Sequence, residues 1–255
     1  MIYIRLSREF NITHNIKILK KSEYMKKIER EIFSKVDAIY IVGTYEFNIL
    51  KEEYKNKIIR NIPLYIYDKQ PSNVEKDFSK RKNLIFVGGF AHSPNVDAII
   101  WFTKEIYPKI IKIFPNIILH IISSNSPKVI LKLQSKNIKL WGYLSDEQLQ
   151  QMYQKCRIAI APLRFGAGIK GKIVEAAYNQ IPMVTTTIGG EGIDNSIGAF
   201  SMEDNPEKMA KLICQLYTDY SKLKKMSDDG KILIEKYFSK SKAKEILLND
   251  IKLLK

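Results

Sequence analysis

A chain of 255 residues with 45% hydrophobic and 27% charged side chains can bury one generous α/β core or two small ones, and its composition excludes extended disorder. Forty-two Lys and Arg against 27 Asp and Glu leave a formal charge of +15, which suits phosphorylated ligands, anionic membrane or nucleic acid, or else a solvated lysine surface. Cys156 and Cys214 lack metal-ligand spacing and no run reaches the ~20 apolar residues of a membrane span, so a disulfide framework, a zinc site and a spanning helix are not expected.

In chain order, Lys20 to Lys35 reads as a charged amphipathic helix and Asp37 to Val42 as an apolar strand. Thr44 to Tyr54 follows as a helix with Thr44 as its N-cap. A short strand, 57–60, runs into Asn61-Ile62-Pro63, which stops regular structure. The polar stretch 67–82, with Pro71, Ser72 and Asn73, reads as a linker. Beyond it, apolar strands are predicted at 84–87, 117–122, 138–141, 158–161 and 183–186. Helices are predicted between them at 95–114 (disturbed near Pro108), 127–134, 146–155 and 171–179, and then at 206–220, 220–237 and 240–254.

Continuous apolar strands alternating with helices predict an α/β fold, a parallel sheet covered on both faces. Ligands of such sheets bind beyond the carboxyl ends of the strands. That places attention on the loops 88–95, 123–126, 142–144, 161–171 and 185–192.

The segment Pro162-Leu-Arg-Phe-Gly-Ala-Gly-Ile-Lys-Gly-Lys172 follows a strand and opens a helix. Its glycines let backbone amides approach a ligand, and the helix start adds partial positive charge. Arg164, Lys170 and Lys172 add three full charges, an arrangement that suits a pyrophosphate. The alternative is a flexible turn with surface lysines. Gly166 to Lys172 also matches the Gly-x-x-x-x-Gly-Lys core of a nucleotide triphosphatase loop. Ile173, however, stands where that motif needs the Ser or Thr that holds Mg²⁺.

Gly171-Lys-Ile-Val-Glu175-Ala-Ala177, followed by Gln180-Ile-Pro182-Met-Val-Thr-Thr, resembles the C-terminal domain of family-4 (group 1) glycosyltransferases of the GT-B fold. The resemblance extends through Phe86-Val-Gly-Gly-Phe-Ala-His-Ser-Pro-Asn-Val-Asp97, Leu140-Trp-Gly-Tyr-Leu144, Ile160-Ala-Pro-Leu163 and Gly189-Gly-Glu-Gly192. It implies two Rossmann-like domains, of which residues 1–66 match only the end of the N-terminal, acceptor-binding one. On this division 67–82 is the linker, 83–238 the nucleotide-sugar donor domain, and 239–255 a helix packing back toward the N-terminal part.

Gly88, Gly89, Arg164, Gly168, Lys170 and Lys172 are expected to hold the donor pyrophosphate, and by resemblance Glu175 hydrogen-bonds the ribose hydroxyls. His92, Tyr143, Glu191 and Gly192 are candidates for base or sugar contact. The family's first glutamate of a pair falls on Ala167. Its basic pair after the first domain strand has no counterpart in Gly88 to Asn95, so the cations of the 162–172 loop are expected to substitute.

The implied reaction is a retaining, metal-independent transfer from a nucleotide-diphosphate sugar to a glycan or lipid-linked acceptor in cell-surface polysaccharide synthesis, with no cofactor. A non-catalytic nucleotide-sugar subunit or sensor and a nucleotide-sugar epimerase are the alternatives. A nucleic-acid module lacks a recognised motif. Met1-Ile-Tyr-Ile-Arg is no signal peptide, so a cytoplasmic protein is expected, with an anionic inner membrane face and a separate N-terminal domain chain as further candidate partners.

Overall fold

The computed structural model describes residues 6–7, 11, 14–63, 67, 70–71, 74–166 and 168–253. Six parallel strands form the main sheet: β3 (Lys82–Val87), β4 (Leu119–Ile122), β5 (Ile138–Trp141), β6 (Cys156–Ala161), β7 (Met183–Thr185) and β8 (Phe200–Met202). They lie in the order β5-β4-β3-β6-β7-β8, so the chain works outward from β3 and then restarts on its other side with β6. The carboxyl ends of β3 and β6 therefore flank the point where strand order reverses, which is where such sheets open a crevice.

Alternation along each strand buries both faces. Leu84 and Phe86 join Ile158, Ile160 and Val184 in one core, and Ile85 joins Ala159, Ala161 and Met183 in the other. The first face is covered by α3 (Ser93–Trp101), α4 (Tyr107–Ile113) and α8 (Pro206–Thr218). The second is covered by α6 (Asp146–Lys155), α7 (Gly171–Tyr178) and α9 (Tyr220–Tyr237). The short α5 (Lys128–Leu131) links β4 to β5.

A second sheet pairs β1 (Ala38–Ile41) in parallel with β2 (Ile58–Asn61), preceded by α1 (Ile16–Lys35) and connected by α2 (Thr44–Glu53). The last helix, α10 (Lys240–Leu253), returns to it. Buried Asp250 accepts from the Tyr40 hydroxyl at 2.9 Å and from Arg60 Nε at 2.8 Å. Tyr67, from the expected linker, bridges in parallel to Ser239 between α9 and α10; Ser72 and Asn73 lie outside the described residues.

The structure departs from the sequence reading in four places. Gly43, not Thr44, is the N-cap of α2. The predicted 95–114 helix is broken at 102–106, a π-helical turn ahead of Pro108. Pro108 lacks an N–H and crowds the carbonyl four residues before it, and the wider turn absorbs both defects. β8 has no apolar run long enough to announce it. The 127–134 helix closes to the single turn α5. Among the described residues, no helix is long and apolar enough to cross a membrane.

The sheet's opposite end is closed by cations. Arg81, 1% exposed, donates to the Glu75 carbonyl at 2.9 and 2.6 Å and to Gln154 Oε1 at 2.9 Å, and lies 4.6 Å over the Phe78 ring. Burial pulls its pKa down to about 10. Arg81→Met should lower unfolding free energy by about 3 kcal/mol, because it strands those acceptors in the interior. Urea unfolding followed by circular dichroism reads this directly.

Candidate functional site

A cleft of about 810 Å³ opens beyond the carboxyl ends of β3 and β6, lined by Val87 to Gly89, Ala91 to Asn95, Leu163, Phe165, Gly166, Ile169 to Lys172 and Glu175, and by Leu6, Lys21 and Tyr67 from the N-terminal segment. Pro162, which cannot donate to a strand ladder, ends β6. Gly166 and Gly168 then take φ of +127° and +73°, a region that disfavours side chains and lets the loop fold tightly back to α7. Ala167 lies outside the described residues.

Two helices begin at this cleft, α3 after His92 and α7 after Lys170, and neither has a side-chain cap at its N-cap position. Their leading N–H groups and aligned dipoles favour an anion between them.

Lys172, in the first turn of α7, crosses the cleft to Asn95 on α3. Its Nζ donates to Asn95 Oδ1 at 2.6 Å and sits 4.3 Å from the Phe86 ring centre. Asn95 Nδ2 in turn donates to the Gly89 carbonyl at 2.7 Å. Lys172 and Asn95 pack close over the bare backbone of Gly88, where a Cβ would stand 2.6 Å from Nζ and 3.0 Å from Asn95 Nδ2. Burial pulls the Lys172 pKa down to about 7, against the opposing pull of the Glu175 charge.

Glu175 follows one turn later on the same helix. Burial raises its pKa, and the hydrogen bond from the Tyr153 hydroxyl opposes that rise. Tyr153 is 1% exposed, so it fixes the carboxylate from within the core. Lys170 Nζ donates to the Gly168 carbonyl at 2.5 Å and reaches Glu191 Oε2 at 3.4 Å. Gly88, Gly89, His92, Lys170, Lys172 and Glu175 thus share one cleft, with Gly168 and Glu191 joined to it through Lys170.

Three expected residues stand elsewhere. Arg164 points to α3, where Nε donates to Asp97 Oδ2 at 2.9 Å, a second bond joins the same carboxylate, and the guanidinium lies 5.5 Å over Trp101. Asp97 satisfies the guanidinium bidentately and so draws it off the cleft. Tyr143 is 81% exposed on the loop after β5, outside the cleft lining. Gly192 lines a neighbouring hollow of about 230 Å³ with Thr44 and Ile169. Ile173 is 1% exposed in the core, where a triphosphatase loop would present a hydroxyl.

Asn95 and Tyr153 went unassigned in the sequence reading. Asn95 was visible as the polar residue three places after a glycine-loop histidine. Tyr153 carries no such signal, since it occupies a core position of α6.

The sequence is 27% identical over 236 residues to an uncharacterized 44.6 kDa protein in the cps region of Klebsiella pneumoniae, covering 84% of this chain and 61% of that protein. The fold superposes with a TM-score of 0.70 on a mutant of S. aureus TarM, solved with Fondaparinux, alpha-GlcNAc-glycerol and UDP, at 18% identity over 90% of this chain and 46% of that one. It also superposes with a TM-score of 0.61 on WaaG, a glycosyltransferase involved in lipopolysaccharide biosynthesis, at 12% identity over 81% and 60%. The chain therefore spans between 46% and 61% of these proteins' own lengths. The family described as Glycosyl transferases group 1 matches residues 81–219, more than half of the chain and every cleft residue from Val87 to Glu175. The chain belongs to the group 1 glycosyltransferases.

Proposed function

We propose that this chain binds the nucleotide-diphosphate sugar in a retaining, metal-independent transfer to a glycan or lipid-linked acceptor of a cell-surface polysaccharide. The observation that carries the reading is the convergence of Lys170, Lys172 and Glu175 with two helix starts in one cleft at the strand-order reversal. A diphosphate fits the cations and helix dipoles. A ribose fits Glu175, a carboxylate that can accept from two adjacent hydroxyls. Leaving-group charge that grows on the diphosphate as the glycosidic bond breaks is met by groups already in place.

The Klebsiella relative's cps region and the WaaG likeness support a surface-glycan acceptor. Ile16, Tyr24 and Ile32 are exposed among the lysines of α1, a composition that favours an anionic membrane face, where a lipid-linked acceptor would reside.

Thermal denaturation with uridine, guanosine and adenosine diphosphates and their sugars tests the reading. One base series should raise the melting temperature, with stabilisation of about 2.7 kcal/mol at a hundred times its dissociation constant. Binding of oligonucleotides alone, weakening steeply with salt, would replace this function with a nucleic-acid one.

A further inference from the structure

Glu46, in the first turn of α2, is 4% exposed, and its Oε2 is buried with no hydrogen-bond partner among the described residues. The neighbouring sequence makes room for it. Gly43 is the N-cap of α2, a position where Ser, Thr, Asp or Asn would bond the first turn. A Cβ there would stand 2.0 Å from Glu46 Oε2. The helix forgoes its side-chain cap and the carboxylate fills the space. The first turn of a helix favours an acid, but not one buried with an oxygen that has no donor, which is strongly unfavourable.

The other oxygen faces the loop between β6 and α7. A Cβ on Gly168 would stand 3.5 Å from Glu46 Oε1, and the carbonyl of that same residue accepts from Lys170. Thr44, two residues earlier, donates to the Gly192 carbonyl at 3.4 Å. The start of α2 is thus seated where the loops around Gly168 and Gly192 meet, past Lys170 as the site runs from Glu175 through Lys172.

With a ribose at Glu175 and a diphosphate at the two lysines, the sugar is left to this end. Residues 162–172 contain no acid to receive its hydroxyls. Glu175 is engaged by Tyr153 and Glu191 by Lys170.

We infer that Glu46 determines specificity for the transferred sugar, its carboxylate accepting from a sugar hydroxyl beside Gly168. The inference rests on the nucleotide-sugar reading above. It assigns part of the donor site to the segment before the linker.

Calorimetric titration of the native chain and of Glu46→Gln with UDP, UDP-N-acetylglucosamine, GDP and GDP-mannose separates the possibilities. The amide keeps shape but halves the acceptor capacity and removes the charge. For the base that the native chain selects, Glu46→Gln should bind the nucleoside diphosphate within about twofold of native and the nucleotide sugar about tenfold more weakly. Glu46→Asp, which keeps the charge one methylene short, should fall between them. A melting temperature close to native confirms folding of Glu46→Gln. Equal losses for diphosphate and sugar, or no loss for either, overturn the inference while leaving the donor site intact. A native chain that binds neither these four nor the adenosine diphosphate series overturns the donor reading itself.

Discussion

Lys172→Met should bind nucleoside diphosphates on the order of a hundredfold more weakly than the native chain and yet melt at a higher temperature at neutral pH. The loss follows from removing a cation held by Asn95 at the mouth of two helix starts. The gain follows from linkage. The Lys172 pKa is about 7 in the fold against an ordinary 10.5, so between those values the unfolded chain holds a proton that the folded chain has released. Stability therefore rises with pH across that window, and the penalty of the buried ammonium is fully present below pH 7.

At about 1.4 kcal/mol per pKa unit, the penalty is on the order of a few kcal/mol. The advantage of the methionine should be greatest near pH 6.5 and should vanish toward pH 10. Binding carries the same signature. An anion draws Lys172 back to its charged form, so nucleoside diphosphate binding at pH 8 should take up a proton. Calorimetry in buffers of different ionisation enthalpy measures that uptake, which Lys172→Met should abolish. A variant that binds as tightly as native would remove Lys172 from the site.

Glu175→Gln should abolish discrimination between a ribonucleoside diphosphate and its 2′,3′-dideoxy analogue. In the native chain the preference for the ribose form should be roughly tenfold to a hundredfold, the worth of hydroxyl bonds to a charged acceptor. Glutamine is the informative change because its amide oxygen can still receive the Tyr153 hydroxyl, which alanine would leave buried and unpaired. The measurement is the ratio of the two dissociation constants for each protein. A ratio that the substitution leaves unchanged would detach Glu175 from the ribose.

Strand β5 was legible to the residue, because Ile138 and Leu140 alternate with Lys139 and the pattern stops at Gly142. The glycine loop and the helix bearing Glu175 were legible because strand, glycines, cations and helix start follow one another within twenty residues. Long-range pairing was not. Arg164 displays its charge in the sequence, but nothing there announces that Asp97, 67 positions earlier, will take it. Lys172 and Asn95 are 77 positions apart, and only the parallel placement of β3 beside β6 brings them together. Thr44 looked like a cap because hydroxyls usually serve as one, while the residue that settled the matter was a carboxylate two places on.

Chain passes between the β1–β2 layer and the large sheet at two points, through Tyr67 and through Ser239, and these points are hydrogen-bonded side by side. Two tethers fastened at one spot leave little room for sliding. A rotation about that spot would shift Glu46 and Thr44 against Gly168 and Gly192, and with them Lys21 of α1, which reaches the cleft from the same layer.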